Sequence, residues 1–302
     1  MRDQRPTRRA LAAIASLVLG IALSGAGRAT QASGFVLHDD LQREVGFSHH
    51  PLRVVSLLPS VTEVVCALGA CDRLVATDRY SDTPAQVRAL PKVGGLEDAE
   101  VELIVRLKPD LVLISNAQRI SDRLQELGIA SFALNTEPTG AIGHTVTVIG
   151  EILGLSERAA LLNRQIEDAV RQLAAQAKAR RRGAGPTVYF EVDPAPYAAG
   201  RSSFIGELLA LLGARNIVAA ELGAFPKLNP EFVVRNNPDV ILVSYAQKVN
   251  FAERPGWDRI RAVKEQRLCY FAPEVRYTIV RPGPRVAEGM RAIAECLESV
   301  AP

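Results

Sequence analysis

The sequence predicts an α/β protein of two Rossmann-like lobes, each built on a parallel sheet and joined by a long rigid backbone helix. Three observations predict this. One segment occurs twice: 102–118 (ELIVRLKPDLVLISNAQ) and 231–247 (EFVVRNNPDVILVSYAQ) align without a gap. Glu102/Glu231, Val105/Val234, Arg106/Arg235, Pro109/Pro238, Asp110/Asp239, Leu113/Leu242, Ser115/Ser244, Ala117/Ala246 and Gln118/Gln247 are identical. β-rich apolar runs alternate with helical periodicities on both sides of the chain's middle, the pattern of parallel α/β sheets. A single unbroken helical period, 156–182, lies between the two copies. A repeated supersecondary unit of this size is a statement about fold before function.

Residues 1–26 read as a secretory leader. Arg2, Arg5, Arg8 and Arg9 form a basic start, 10–23 is apolar, and Ser24-Gly25-Ala26 offers a cleavage site, with Ala29 or Ala32 as alternatives. The apolar run is short for a membrane span, which favours cleavage over a retained anchor. No lipid-acceptor cysteine follows it. The expected location is therefore the periplasm.

The N-terminal lobe is expected at 34–155. The run 53–58 (RVVSLL) is a strand, and Pro59-Ser60 turns it into an amphipathic helix ending near Leu68-Gly69. Each repeat copy reads as a short helix opened by an acid, a Pro-Asp break and a buried strand. Ser156 caps the connecting helix, 156–182, and Gly183, Gly185 and Pro186 stop it. About 26 residues at 1.5 Å each span roughly 40 Å, a strut rather than a Gly/Ser-rich hinge. The C-terminal lobe is expected at 186–302. It opens with the strand 187–192 (TVYFEV), followed by a Pro-rich loop and a helix at 204–212. Both lobes' first helices end in Leu-Gly-Ala, 68–70 and 212–214, where glycine supplies the left-handed cap.

Without 1–26 the basic and acidic residues balance, which leaves no field for nucleic acid. The cysteines Cys66, Cys71, Cys269 and Cys296 allow one or two disulfides in an oxidising compartment, or buried free thiols. No CxxC occurs, and of the histidines, His38, His49 and His50 crowd near the start while His144 stands alone, so no structural or catalytic metal is expected. No G-x-S-x-G, P-loop or H-E-x-x-H is present, so an exported enzyme is the alternative from another class, without a catalytic residue to name.

Two lobes, a strut and an export signal describe a binding protein with a cleft. Segments 53–95 and 104–113 resemble the N-terminal lobe of periplasmic cobalamin- and iron-complex-binding proteins, the class III (helical-backbone) solute-binding proteins of ABC importers. RPGPRVAEGM (281–290) resembles their C-terminal signature and 34–51 their N-terminal hairpin. The resemblance covers essentially the whole chain after the leader. It implies a monomer that carries a small-molecule ligand, here a cobalt corrinoid such as cobalamin, to the transmembrane subunits of an ABC permease, with no cofactor of its own. Haem and ferric siderophores are the alternatives within the class. Tyr80, in Tyr80-Ser81-Asp82 before Pro84, matches an aromatic ligand contact of the cobalamin-binding branch. By the same resemblance Tyr197 and Phe225 line the second lobe, and Arg276 and Tyr277 reach the ligand from a loop before 281–285. Flat aromatic walls suit a large amphipathic macrocycle. Leu96 and Ser115 stand where a cobalamin receptor of the class carries tryptophans, so those walls are thinner here. Glu102 and Glu231 match acids that dock the receptor on its permease; each also stands where a helix dipole favours an acid.

Overall fold

Hydrophobic strands followed by capped helices recur along the chain and generate two sheets with one topology. The structure, a computed structural model, describes residues 34–136, 141–180, 183–194, 196–245 and 249–300. The expected leader, residues 181–182 of the expected connecting helix and the repeat residues Ala246 and Gln247 lie outside the described residues.

Strands β1 (Phe35–His38) and β2 (Glu44–Phe47) form an antiparallel hairpin. Its turn carries Asp39, which is 1% exposed and accepts bonds from the amides of Leu41, Arg43 and Ala133 and from the Arg43 guanidinium. The N-terminal lobe then runs β3 (Val54–Ser56), α1 (Pro59–Ala67), β4 (Leu74–Thr77), α2 (Val101–Leu107), β5 (Leu111–Ser115), α3 (Ser121–Glu126) and β6 (Ser131–Leu134). Its sheet is parallel, in the order β4-β3-β5-β6. The hairpin turn bonds to Ala133 and Asn135 and so covers the β6 edge that would otherwise offer unpaired groups.

Helices α4 (Ala141–Leu153) and α5 (Ser156–Arg180) connect the lobes. The 25 residues of α5 span about 37 Å at 1.5 Å per residue. Its apolar stripe serves both cores: Leu162 packs on the N-terminal core, Val170, Leu173 and Ala177 on the C-terminal core, and Ile166 on both. An ion pair of Arg180 with Glu298 fastens its far end.

The C-terminal lobe comprises β7 (Thr187–Asp193), β8 (Tyr197–Ala198), α6 (Phe204–Leu211), β9 (Arg215–Asn216), α7 (Pro230–Asn236), β10 (Val240–Val243), α8 (Arg261–Lys264), β11 (Leu268–Tyr270), α9 (Pro273–Val280) and α10 (Val286–Val300). Its parallel strands run β9-β7-β10-β11, the same winding as the first lobe, with β8 added antiparallel to β7. Gly69 and Gly213 end the first helix of each lobe at φ of 80° and 76°, a region where a side chain is strained. Two disulfides join Cys66 to Cys71 and Cys269, within β11, to Cys296. Among the described residues no helix is long and apolar enough to cross a membrane.

α1 forms where the sequence places an amphipathic helix, but its polar face is not solvated. Ser60, Thr62 and Glu63 are as buried as their apolar neighbours. Thr62 bonds to Ser56 and Ser81, and Glu63 receives Arg285 from the far lobe. The polar face is covered by protein, not water.

Candidate functional site

Ligands of wound α/β sheets bind beyond the carboxyl ends of the strands, where strand order reverses. The sequence places its exposed aromatic residues on the segments that leave those ends. Tyr80 follows β4 and is 61% exposed; Tyr197 follows β7, Tyr277 follows β11, and both are partly exposed. Tyr270, at the end of β11, joins them and escaped the sequence reading; only its place at a strand's carboxyl end could have signalled it.

The Tyr80 loop is built from below. Asp78, 1% exposed, accepts the Tyr80 amide at 2.7 Å and the Ser81 hydroxyl. Lys92 Nζ donates to the Thr77 hydroxyl and the Ser81 and Val87 carbonyls at 2.6–3.1 Å. Burial raises the Asp78 carboxyl above its ordinary range, against the opposing pull of Ser81, the Tyr80 amide, Arg281 and Lys92. The Tyr80 ring lies against Gly95. Gly94, beside it, has φ of 93°, and a side chain there would strike the Asp98 carbonyl at 2.3 Å, so the turn under the tyrosine requires glycine.

In the second lobe the segment after Phe225 pairs with β8. Ala198 donates to the Pro226 carbonyl, Leu228 to that of Pro196, and Lys227 sits opposite Tyr197 with its ammonium 6.0 Å from the ring. Tyr197 and Phe225 are thereby brought together. The Phe225 ring turns partly inward, its centroid 6.4 Å from that of Phe204 on the core.

Arg276 and Tyr277 lie on helix α9, not on a loop. Pro273 at its first turn is preorganised for a helix, and Ile279 and Val275 anchor that helix to the core. The buried Arg276 Nε has no hydrogen-bond partner among the described residues. The Arg281 guanidinium lies 4.0 Å from the Tyr277 ring centroid.

Glu102 and Glu231 each stand in the first turn of a helix, α2 and α7. Glu102 pairs with Arg123 at 2.8 Å. A shallow depression of about 330 Å³, lined by Val101, Glu102, Val105, Arg123, Glu126 and Leu127, opens beside it. Glu231 is exposed and makes no ion pair among the described residues; the Asn229 side chain caps its amide.

A second polar cluster fills the other lobe's interior. Glu191, fully buried, accepts both Arg254 nitrogens at 2.7 and 2.8 Å and the hydroxyls of Tyr189 and Tyr245. Arg254 also stacks on Phe251 and Trp257. Burial and the adjacent Glu191 push both phenols upward, so they stay protonated donors. Every hydrogen-bonding demand of Glu191 is met within the lobe, which makes the cluster a structural core.

Comparison with known proteins agrees with this architecture. A family model described as "Periplasmic binding protein" matches residues 54–275. An uncharacterized ABC transporter substrate-binding lipoprotein of Bacillus subtilis, YvrC, is 30% identical over 283 residues, covering 91% of this chain and 88% of the relative. The vitamin B12-binding protein of Photorhabdus laumondii is 30% identical over 211 residues, covering 67% and 75%. The periplasmic heme-binding protein RhuT of Roseiflexus superposes with a TM-score of 0.72 at 23% identity, covering 83% of this chain and 99% of that one. The matched span reaches from the first strand of one lobe to the α9 helix of the other, and the chain belongs to the periplasmic binding protein family.

Proposed function

We propose that this protein captures cobalamin or a related corrinoid between its lobes and delivers it to the transmembrane subunits of an ABC importer. The observation that carries the reading is the set of partly exposed tyrosines, Tyr80, Tyr197, Tyr270 and Tyr277, at the strands' carboxyl ends in both lobes. Rigid aromatic faces bury a large macrocycle at little entropic cost. The relative named as a vitamin B12-binding protein supports the corrinoid, and the one named as an ABC transporter substrate-binding lipoprotein supports the importer. Glu102 and Glu231, one per lobe, serve as the docking acids: paired, separated carboxylates set register and speed encounter.

Calorimetry of the mature protein with cyanocobalamin, cobinamide, haemin and a ferric siderophore tests the ligand. The expected result is one corrinoid per chain with a dissociation constant on the order of 1 µM or below. Binding of haemin or the siderophore with neither corrinoid bound would replace the corrinoid by that ligand. Catalytic turnover of a bound compound would favour an enzyme.

A further inference from the structure

The two lobes meet through an ion cluster that neither lobe contains alone. From the first lobe come Glu63 on α1, only 5% exposed, and Asp82 at the end of the Tyr80 loop. From the second come Arg281, just past α9, and Arg285 at the start of α10. Arg285 binds Glu63 with two nitrogens at 2.9 and 3.3 Å. Arg281 reaches Asp82 at 3.0 Å and Glu63 at 3.5 Å, and its other nitrogen donates to the Tyr80 carbonyl at 2.9 Å. Gly283, between the two arginines, packs beside Ser60, where a Cβ would be in ordinary contact with the Ser60 backbone at 3.6 Å. Arg285 also pairs with Glu288 in the first turn of α10 at 3.7 Å, so three acids share two guanidiniums.

Arg281 is the informative member. Its side chain is 11% exposed, and one planar group makes three kinds of contact. It bonds the backbone of Tyr80, it pairs with the acid two residues on, and it lies over the face of Tyr277. Tyr80 and Tyr277 belong to opposite lobes, and Arg281 touches both. The Tyr80 peptide is gripped from both sides, its amide by Asp78 and its carbonyl by Arg281.

We infer that Arg281 is a positioning residue of the ligand cleft: it ties the Tyr80 loop to the Tyr277 helix and fixes the spacing of the two aromatic walls. The inference rests on the reading that these tyrosines line the cleft. The chemistry demands arginine. A guanidinium has a fork that serves a carbonyl and a carboxylate at once and a flat face that stacks on a ring, whereas lysine offers one point charge. The α5 helix sets the lobes' separation on one side of the molecule, and Arg281 sets it at the aromatic edge. The ligands accepted are those whose thickness matches that spacing.

The test has a ligand-free arm and a ligand arm. Protein labelled with 3-fluorotyrosine gives one fluorine signal per tyrosine, and Y80F and Y277F assign the two of interest. Arg281→Gln should displace the Tyr80 and Tyr277 signals together while those of the buried Tyr189 and half-buried Tyr245 stay in place. Cyanocobalamin binding should weaken at least tenfold, and Arg281→Lys should recover part of that loss. Movement of only one wall signal, or of neither, overturns the inference, as does binding within twofold of wild type by a variant whose signals have moved. If the wild-type protein binds no cyanocobalamin, the corrinoid reading fails while the fluorine arm still decides the clamp. Glu63 keeps Arg285 in the variant, so folding should persist. Should Arg281→Gln fail to fold, Asp82→Asn decides by the same spectrum: both signals moving supports the clamp and an unchanged spectrum overturns it.

Discussion

The two lobes share a backbone and differ in what they put inside it. The register that sets Val54 beside Leu111 sets Val188 beside Val240, the repeat mate of Leu111. Counting forward, Leu57 of the first lobe corresponds to Glu191 of the second. Both are buried. One meets an apolar layer of Val55, Val112 and Ile114; the other carries a charge into Arg254 and two tyrosines. The repeated Pro-Asp, by contrast, does the same work twice. The Asp110 carboxylate accepts the amides of Leu52 and Arg53, both at 2.8 Å, and that of Asp239 accepts the Thr187 amide at 2.8 Å and its hydroxyl at 2.7 Å. Each aspartate splices the repeat's strand to the start of the lobe's first strand. A repeat therefore preserves the joints of a fold more strictly than the filling of its core.

The largest test of that contrast is Glu191. Glu191→Ala leaves Arg254 without its partner, which should cost about 3–5 kcal/mol, whereas Glu191→Leu with Arg254→Met and both Tyr189→Phe and Tyr245→Phe, which removes the stranded hydroxyls and imitates the first lobe, should recover most of the loss. Urea unfolding measures both. A combined variant as unstable as the single would show that the second lobe cannot accept the first lobe's apolar filling.

The disulfides sharpen the comparison next. The N-terminal pair closes a sequence separation of 5, the C-terminal pair one of 27. On loop entropy, replacing both partners by alanine should cost about 2 kcal/mol for Cys66–Cys71 and about 3.5 kcal/mol for Cys269–Cys296. Equal losses would mean that chain entropy does not set the difference.

The splice aspartates come third. Asp239 is 6% exposed, and although burial alone would raise its carboxyl, the bonds from Thr187 and the charge of Arg261 hold it below the usual range. A depressed folded value gives stability that is present above the unfolded value near 3.8 and lost as pH falls through the folded one. Asp239→Asn should cost about 1–2 kcal/mol at neutral pH and flatten the acid limb of the stability curve. Asp110→Asn, more exposed and without an ion pair among the described residues, should cost less. Identical acid limbs for wild type and Asp239→Asn would contradict this.

Much of this was legible in the sequence, and what was missed has a common cause. Strand, cap and splice are local or repeat at a fixed spacing, so 102–118 and the two Leu-Gly-Ala caps announced themselves. The aromatic set was legible only through family resemblance, because a lone tyrosine in a loop has no periodicity. The burial of the polar face of α1 was not legible: Glu63 meets Arg285 and Ser60 meets Gly283, more than two hundred residues on, while Thr62 meets Ser81 from the loop after β4. The only local signal was a glutamate inside an apolar run, matched by two arginines in RPGPR. The helical setting of Arg276 and Tyr277 was hidden similarly, since Pro273 reads equally as a loop residue and as a helix start.

The smallest expected effect on stability concerns the acids that open the repeats. Glu102 and Arg123 are 76% and 62% exposed, so Arg123→Ala should change stability by less than about 1 kcal/mol. If Glu102 is a docking acid, the same pair bears on docking. Arg123 already neutralises Glu102, whereas Glu231 offers a bare carboxylate among the described residues. If both acids meet cations on the permease, Glu231→Arg should reduce uptake more than Glu102→Arg, because only the former removes an unpaired charge. Arg123→Ala should then raise uptake at low permease abundance by freeing Glu102. The reversal of both should abolish uptake while calorimetry with the bound ligand stays within twofold of wild type, since neither acid touches the aromatic set. Uptake in cells carrying the cognate permease, measured beside that calorimetry, separates the cases. Equal defects from the two single reversals would make the lobes equivalent at the permease, and normal uptake by the double reversal would leave both acids as helix-start residues alone.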